Sequence, residues 1–265
     1  MNQQNDAKPS FTLITGASSG IGRELAREFA RHGHNLVLVA RDWDRLNALA
    51  GDLRVGCGVK VEVITQDLSL PGAAHEVLKQ VEKKSAHLDI LVNNAGFDVY
   101  GSFTETDRTV ELRMIQVNLV ALTELTKMAL GGMLAAGHGR ILNVGSTGSF
   151  APSPLNAVYS ATKAYVLSFS QALAEELRGS GVTVTVLCPG ATRTEFQQRA
   201  GIADIRLLRF GAMDAAVVAK AGYRALMAGR RLEVPGLFNK LQVLFSRFLP
   251  GALVARMAKS MLEPR

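Results

Sequence analysis

The sequence predicts an α/β domain with a doubly wound parallel sheet of about seven strands and helices on both faces. Short apolar runs rich in β-branched residues recur along the chain, and stretches with helical spacing lie between them. The runs are "FTLIT" (11–15), "NLVLVA" (35–40), "VKVEVIT" (59–65), "LDILVNN" (88–94), "GRILNVGS" (139–146), "VTVTVLCPG" (182–190) and a short strand in "LEVPG" (232–236). Most are near-continuous rather than alternating, which is typical of strands buried on both faces. Alternation of strands with helices indicates βαβ units.

The predicted helices follow from the spacing of apolar residues. Ile21, Leu25 and Phe29 repeat every four residues, with charged residues between them. Further helices are predicted over 73–84, from about 104 to 136 and from about 155 to 178. Near the C-terminus, one or two basic amphipathic helices would place a set of apolar residues on one face. These are Leu237, Leu241, Leu244, Phe245 and Phe248. That face could pack on the core or a partner subunit, cover a substrate, or lie on a membrane surface.

Composition indicates a folded protein of one domain. The chain has 265 residues, 48% of them hydrophobic, and shows no repeat or linker. We expect a disordered tail over 1–10 and a single domain over 11–265, with a substrate loop and a variable C-terminal part over 191–265. The N-terminus lacks the layout of a signal peptide, and no apolar run approaches the ~18 residues of a membrane span. A cytoplasmic protein is therefore expected.

Charge and cysteine content exclude several classes of function. The net charge is +7, but there is no basic block of five or more residues, so nucleic acid is not an expected partner. The two cysteines, Cys57 and Cys188, lie far apart and form no disulfide framework. Cys188 lies in an apolar run, where a buried free thiol is expected. The five histidines show no metal-ligand spacing, so no metal is predicted.

A glycine loop follows the first predicted strand. "TGASSGIG" places Gly16, Gly20 and Gly22 between that strand and a helix, with the spacing G-x-x-x-G-x-G. Glycine lets the backbone approach a pyrophosphate, and the helix N-terminus presents free N–H groups to it. A glycine-rich turn without a ligand remains the alternative. Because no G-K-[ST] follows, a P-loop nucleotide hydrolase is disfavoured.

The residues after the second strand bear on which dinucleotide would bind. An acidic residue near this point grips the ribose 2′-hydroxyl of NAD, whereas an arginine accommodates the 2′-phosphate of NADP. Arg41 comes first after the strand and Asp42 stands beside it. This order favours Arg41, and hence NADP(H), with NAD(H) as the alternative if Asp42 governs. The segment "RDWDR" could also be a solvated helix start that Asp42 or Asp44 caps.

A tyrosine and a lysine lie four residues apart in "AVYSATKA". On a helix, Tyr159 and Lys163 would share a face. That spacing alone is weak evidence, because a surface pair looks the same. A phenol has a pKa near ~10, and a neighbouring ammonium would lower it.

Seven motifs in order identify a resemblance. They are "TGASSGIG", "QDLS" (66–69), "LVNNAG" (91–96), "VNLVA" (117–121), "ILNVGS" (141–146), "YSATK" (159–163) and "CPGATRTEF" (188–196). Together they resemble the short-chain dehydrogenase/reductase family, in its single-domain branch, over roughly residues 11–200. The resemblance implies a Rossmann-like fold and hydride transfer between a nicotinamide and a carbonyl or secondary alcohol.

The family's catalytic residues would be Asn118, Ser146, Tyr159 and Lys163 here. Tyr159 would move the proton, Ser146 would bind the substrate oxygen, Lys163 would hold the ribose hydroxyls, and the Asn118 backbone would hold a relay water. Ser149 is an alternative serine, but its offset of ten residues from Tyr159 does not fit the family. The predicted cofactor-binding residues are Gly16, Ser18, Ser19, Gly20, Ile21, Gly22, Arg41, Asp67, Leu68, Asn94, Ala95, Gly96, Tyr159, Lys163, Pro189, Gly190, Thr192 and Thr194.

The substrate is predicted only by class. The expected pocket residues are Gly148, Phe150, Pro152, Leu155 and the 191–212 loop, all apolar or small. They indicate a hydrophobic ketone, aldehyde or secondary alcohol, with reduction as the expected direction. The family resemblance also implies a homodimer or homotetramer formed through helices 104–136 and 155–178. Alternatives are an NAD-dependent alcohol dehydrogenase and a non-catalytic protein that binds NADP(H) or a membrane surface.

Overall fold

The computed structural model describes residues 9–84, 87–195, 212–246 and 248–262. Seven strands form one parallel sheet in the order β3-β2-β1-β4-β5-β6-β9. They are β1 (Ser10–Thr15), β2 (Asn35–Ala40), β3 (Val61–Thr65), β4 (His87–Asn93), β5 (Gly139–Val144), β6 (Val182–Leu187) and β9 (Leu232–Glu233). Strands β7 (Thr192–Arg193) and β8 (Met213–Asp214) pair in a separate small sheet. The predicted doubly wound parallel sheet is confirmed.

Helices cover both faces of the large sheet. They are α1 (Gly20–Arg31), α2 (Trp43–Cys57), α3 (Ala73–Lys83), α4 (Arg108–Ile115), α5 (Leu122–Ala136), α6 (Ala157–Glu176), α7 (Ala215–Met227), α8 (Leu237–Ser246) and α9 (Gly251–Leu262). A π-helical turn, Gln116–Ala121, joins α4 to α5, and a 3₁₀ turn, Thr147–Phe150, follows β5.

Alternate residues of the central strands feed two cores. In β1, Ile14 packs with the layer of α1, α2 and α7, while Leu13 packs with the layer of α3 and α5. In β2, Leu36 and Leu38 face the first layer, whereas Val37 and Val39 face the second. Successive side chains of a strand point to opposite faces, which is why these strands carry continuous apolar runs.

The element boundaries differ slightly from those predicted. Strand β1 begins at Ser10, one residue before the expected boundary, and the Pro9 carbonyl already accepts a hydrogen bond from the His87 N–H at 3.2 Å. Residues 1–8 of the predicted tail lie outside the described residues. The helix predicted from about 104 begins only at Arg108, because the Asp107 side chain caps it by accepting from the N–H groups of Thr109 and Val110.

One helical stretch meets the composition expected of a membrane span. Arg108–Ala136 contains an 18-residue window with a mean hydropathy of 1.4, of which 39% is buried. It is not the unbroken apolar run of ~18 residues whose absence was expected, because polar residues such as Glu124 and Lys127 divide it. Its residues Met114, Leu125 and Met133 are buried within the fold. This is also the arrangement of a core helix.

Candidate active site

A cavity of about 1450 Å³ opens at the carboxyl ends of the parallel strands. Residues that come within two positions after five different strands line it: Gly16 after β1, Arg41 after β2, Asn94 after β4, Gly145 after β5 and, after β6, Pro189. Ligands of open α/β sheets bind at this edge, where the chain reverses its winding direction. Here the reversal falls between β1 and β4, which are neighbours in the sheet.

The glycine loop is packed too tightly for any larger residue. Gly16 has a φ of +67°, and a Cβ there would lie 2.8 Å from Asn94 Nδ2. A Cβ on Gly22 would lie 2.3 Å from the Gly16 carbonyl oxygen. Helix α1 begins at Gly20, which lines the cavity, so the positive N-terminal end of the helix faces that space. No acidic residue in its first turn neutralises this end.

Asn94 and Thr15 hold this loop against the end of β4. Asn94 Nδ2 donates to the Thr15 carbonyl at 2.9 Å and to the Gly16 carbonyl at 3.3 Å. In return, Thr15 Oγ1 accepts from the backbone N–H groups of Asn94 and Ala95, each at 3.0 Å. The side chain of Asn94 therefore fixes the position of the glycine loop relative to the end of β4.

Arg41 and Asp42 have different roles at the end of β2. Asp42 is the N-cap of α2, accepting from the Arg45 N–H at 3.0 Å, and pairs with the Arg45 guanidinium at 3.3 Å. The predicted helix cap is thus confirmed for Asp42. Arg41 is exposed at the cavity, and the described part of the chain places no carboxylate within ion-pair distance of it. Its guanidinium is available to an anion.

The predicted catalytic side chains meet in the wall of the same cavity that the glycine loop lines. Tyr159 and Lys163 lie on α6, with Lys163 Nζ 5.7 Å from the centre of the Tyr159 ring. Lys163 Nζ donates to the Val144 carbonyl at 2.9 Å. Ser146 is the N-cap of the 3₁₀ turn and forms a hydrogen bond with the Tyr159 hydroxyl. Ser149, the alternative serine, is buried and accepts from the Ser146 N–H.

Burial sets the protonation of this group. It raises the pKa of the Tyr159 phenol above its ordinary value, the nearby Asp98 charge raises it further, and the hydrogen bond with Ser146 opposes both. It also lowers the pKa of Lys163 to about 8. The loss of solvation therefore outweighs the lowering of the Tyr159 pKa that was expected from the Lys163 ammonium. Burial of Cys188, the free thiol beside them, raises its pKa to about 12.

Asn118 lies behind the cavity wall rather than on it. Its Oδ1 accepts from the Phe97 N–H at 3.2 Å, and its Nδ2 donates to the Phe97 carbonyl and to Thr162 Oγ1, both at 3.1 Å. It occupies the π-helical turn, where the regular helical pattern is interrupted. Every other residue predicted for catalysis or cofactor binding lines the cavity.

The predicted substrate pocket needs correction. Gly148, Ala191, Thr192 and Thr194 line the cavity, while 196–211 lies outside the described residues. Phe150 instead packs on the core beneath α6, and neither Pro152 nor Leu155 reaches the cavity. The wall at this level carries Ala151, Ser153 and Asn156. The loop is irregular, so no sequence periodicity predicts which of its side chains face the cavity.

Asp98 was missed by the sequence analysis. It lines the cavity, is 6% exposed, and accepts from Asn156 Nδ2 at 2.9 Å. Burial raises the pKa of Asp98 to about 7, against the lowering effect of the Asn156 hydrogen bond. The available signal was an acidic residue two positions after Gly96, within the otherwise apolar "AGFDVYG".

Helices α8 and α9 supply an apolar roof. Their lining residues are Phe238, Leu241, Gln242, Val243, Phe245, Ser246, Leu249 (between the helices), Val254, Met257, Ala258, Met261 and Leu262. Tyr100 Oη donates to the Leu262 carbonyl at 2.7 Å, which ties α9 to the loop after β4. A Cβ on Gly190 would lie 2.4 Å from Asn239 Oδ1, so α8 sits directly on the Pro189–Gly190 turn. Of the predicted alternatives, this placement supports a cover over the substrate.

A histidine cluster lies away from this cavity. The ligand atoms of His87, Asp89 and His138 are all within 4.8 Å of one another, and His87 pairs with Asp89 at 3.1 Å. His87 and His138 lie at the amino-terminal ends of β4 and β5, opposite the cavity. The absence of a bound metal therefore stays a prediction for the protein.

The fold and these side chains define a dinucleotide-binding oxidoreductase. The sequence profile of the short chain dehydrogenase family matches residues 10–203. The chain belongs to the short-chain dehydrogenase/reductase family.

Named relatives support this assignment. The oxidoreductase UcpA of Escherichia coli K12 is 37% identical over 183 residues, which cover 69% of this chain and 69% of that protein. A short-chain dehydrogenase from Sphingobium yanoikuyae, solved in complex with NADPH, is 38% identical and has a TM-score of 0.81, covering 90% of this chain and 93% of that one. The bulky-bulky ketone specific alcohol dehydrogenase of Comamonas testosteroni is 34% identical, with a TM-score of 0.76 and coverage of 91% and 94%.

Proposed function

We propose that the protein is an NADP(H)-dependent oxidoreductase that reduces a hydrophobic ketone or aldehyde, with Tyr159 as the general acid. One observation carries the proposal: Tyr159, Ser146 and Lys163 meet in the wall of the same cavity that the glycine loop lines. A dinucleotide bound at that loop and a substrate at Tyr159 would share the same space.

The residues present fit a dinucleotide phosphate. The glycine loop leaves no room for a Cβ at Gly16 or Gly22, so its backbone is bare toward the cavity. The N-terminus of α1 would hold the pyrophosphate, and Lys163 the ribose hydroxyls. Arg41 would pair with a 2′-phosphate, while Asp42 is engaged by the N–H and guanidinium of Arg45. This division of roles supports NADP(H) over NAD(H).

The chain's own contribution is to position the substrate and move a proton. When bound, a reduced nicotinamide supplies the hydride. The Ser146 hydroxyl donates to the substrate oxygen and holds it beside the Tyr159 phenol. The phenol then gives its proton to that oxygen as negative charge develops there. Lys163, fixed on the Val144 carbonyl, keeps positive charge near the phenolate that results.

The protonation of Tyr159 supports its role as the general acid. Because burial and Asp98 raise its pKa, the phenol keeps its proton at neutral pH. A protonated phenol is the form that can give a proton to a nascent alkoxide.

The substrate class is inferred from the roof of the cavity. Apolar side chains such as Phe238, Leu241 and Met257 face the space above the catalytic wall. Burial of apolar substrate surface there stabilises the complex by about 25 cal/mol per Å². The Comamonas relative is named for bulky ketones, which supports a bulky hydrophobic carbonyl compound here.

The cofactor assignment is tested by calorimetric titration of the purified chain with NADPH and with NADH. We expect tight binding of NADPH and weak binding of NADH. An Arg41→Ala variant should lose at least about tenfold in NADPH affinity and leave NADH affinity unchanged, since only the former carries the phosphate. Arg178→Ala, an exposed arginine outside the cavity, is the matched control. Tighter binding of NADH would assign the site to NAD and return Asp42 to a ribose-binding role.

The reaction is tested by consumption of NADPH with a panel of aryl and alkyl ketones and aldehydes. Turnover of bulky ketones by the wild type and its loss in Tyr159→Phe would support the proposal. Binding of NADPH with no turnover of any carbonyl or alcohol would instead support a non-catalytic NADP(H)-binding protein.

Assembly is part of the same proposal. Apolar side chains such as Leu112, Val120 and Met128 are exposed on the α4–α5 segment, and Tyr165 is exposed on α6. Their burial between subunits would support a homodimer or homotetramer. Light scattering on the purified chain tests this, and a monomer at micromolar concentration would contradict it. The cytoplasmic location likewise stays a prediction.

A further inference from the structure

The cavity contains a polar pair to which the proposed reaction assigns no contact with the substrate. Asp98 comes from the loop after β4, and Asn156 is the N-cap residue of α6. Asn156 Nδ2 donates to Asp98 Oδ2 at 2.9 Å. Both side chains line the cavity, although they are only 6% exposed.

Each member of the pair keeps an unsatisfied acceptor. Asp98 Oδ1 and Asn156 Oδ1 are both buried, and neither has a hydrogen-bond partner of normal geometry among the described residues. The Val99 backbone N–H is also close enough to the Asp98 carboxyl to lower its pKa, but it does not satisfy Oδ1. A buried oxygen without a donor is costly, and native proteins satisfy most such groups. Two of them on adjoining side chains at a ligand cavity indicate that a donor from the ligand completes the pair.

The backbone around the pair is arranged at a further cost. Leu155 has a φ of +67°, a left-handed conformation that a leucine rarely adopts. Its carbonyl accepts from the Gly101 N–H at 2.9 Å, which joins the loop of Asp98 to the start of α6. Asn156 also gives up the usual N-cap hydrogen bond, since its side chain makes none to the helix. Strain of this kind is concentrated at binding and catalytic sites.

The pair lies within electrostatic range of the catalytic group. The Asp98 charge acts on both Tyr159 and Lys163, and all of these residues line one cavity. A substrate group bound by Asp98 would therefore be close to the reacting carbonyl. The rest of the substrate would lie under the apolar roof of α8 and α9.

We propose that Asp98 and Asn156 form a subsite for a hydroxyl group of the substrate. This inference rests on the proposed function and deepens it: the substrate is a hydrophobic carbonyl compound with a hydroxyl group near its carbonyl. A hydroxyl group donates one hydrogen bond and also accepts, so it suits the carboxyl group in either protonation state. An ammonium group only donates.

The test uses a matched set of ketones: 1-phenylpropan-1-one, its 2-hydroxy and 3-hydroxy derivatives, and its 2-amino derivative. For each, kcat/KM is measured with NADPH, and Kd is measured by calorimetry on the protein without cofactor. We expect the wild type to favour a hydroxyketone over the parent ketone by at least about tenfold in both quantities. In Asp98→Leu this ratio should fall to near one.

Two further variants keep the test decisive if Asp98→Leu does not fold. Asp98→Asn retains an acceptor oxygen and should keep part of the preference, and Asn156→Ala should reduce it. Asp52→Leu, which replaces an exposed aspartate outside the cavity, is the control and should keep the wild-type ratio. Equal ratios in wild type and Asp98→Leu would overturn the subsite, and preference for the amino derivative would replace the hydroxyl group by a cation.

The outcomes separate the two proposals. Turnover of the parent ketone without any hydroxyl preference would overturn the subsite and leave the proposed function standing. A hydroxyl preference in Kd that Asp98→Leu removes, without turnover of any ketone, would uphold the subsite and overturn the reaction. Absence of both the hydroxyl preference and the turnover of any ketone would overturn the subsite and the reaction together.

Discussion

Lys163 on helix α6 donates a hydrogen bond to the carbonyl oxygen of Val144, the last residue of strand β5, at 2.9 Å. The helix that carries the proposed catalytic pair is thereby fixed to a strand in the middle of the sheet. Burial of the ammonium group in this wall lowers the pKa of Lys163 to about 8.

A fall in ketone reduction above about pH 8 follows from this lysine. Its pKa is below the ordinary value of 10.5, so it loses its charge within the range of an assay. Tyr159 keeps its proton there because its own pKa is raised. We expect kcat/KM to drop about tenfold per pH unit above that point. A flat profile to pH 10, measured with NADPH binding checked at each pH, would show that Lys163 need not be charged.

Replacement of Tyr159 by phenylalanine should remove the chemistry and spare the fold. The ring keeps its packing, but no proton donor remains, and general acid catalysis contributes about 10²–10⁴-fold. We expect kcat to fall by at least about 100-fold, with NADPH affinity within a few-fold of wild type. Tyr165→Phe, on the same helix but with an exposed ring bonded to Thr123, is the control. Comparable turnover by the two variants would remove Tyr159 from the mechanism.

Gly96 should tolerate no side chain. A Cβ there would lie 2.9 Å from Asn118 Oδ1 and 3.5 Å from Lys163 Nζ. Gly96→Ala should therefore displace the amide that supports the wall and reduce kcat/KM by at least about tenfold. Gly131→Ala provides the contrast, because Gly131 lies in α5 with open space around it. That variant should be stabilised by roughly 0.5–1 kcal/mol with unchanged activity. Wild-type kinetics in Gly96→Ala would show that Asn118 and Lys163 can shift to admit the added methyl group without loss of activity.

Asp98 should make the protein less stable as the pH rises. Its folded-state pKa of about 7 exceeds the ordinary 3.8, so the folded state binds more protons than the unfolded state between these values. The free energy of unfolding then falls as pH rises from about 4 to about 7, by a few kcal/mol. Asp98→Asn removes this term and should gain stability over wild type at pH 8 more than at pH 5. Urea titrations at both pH values measure it, with Asp52→Asn as control. An equal difference at the two pH values would contradict the raised pKa.

Most regular elements and the motif residues could be predicted from the sequence, although the helices α2 and α7 were not, and irregular segments could not be predicted. The apolar runs gave the strand boundaries to within three residues, because burial on both faces leaves a local signature such as Leu36 to Val39. The glycine loop could be placed because Gly16 and Gly22 follow a strand and precede a helix. Ser146 was found from its offset to Tyr159, and it is indeed the serine that meets the phenol.

The missed features depend on contacts between distant segments. Asp98 and Asn156 lie 58 residues apart, and only the fold brings their side chains together. The left-handed Leu155 and the π-helical turn around Asn118 likewise have no residue preference that marks them. The residues of the loop after β5 that face the cavity were predicted from their apolar character, but Phe150 packs against the core instead. Protonation of Tyr159 was misjudged because burial cannot be read from spacing.

Reaction chemistry and substrate shape are encoded in separate stretches of this chain. The proton-transfer wall comes from β5 and α6, whereas the roof comes from α8 and α9, which begin only after β9. The roof contacts the rest of the fold at Asn239 over Gly190, at the Leu262 carbonyl on Tyr100, and through Val243, which packs in one core cluster with Val166 of α6. A recombination crossover at Pro235 would exchange the roof as one segment of the chain. Chimeras made there would inherit their catalytic machinery from one parent and much of their selectivity from the other.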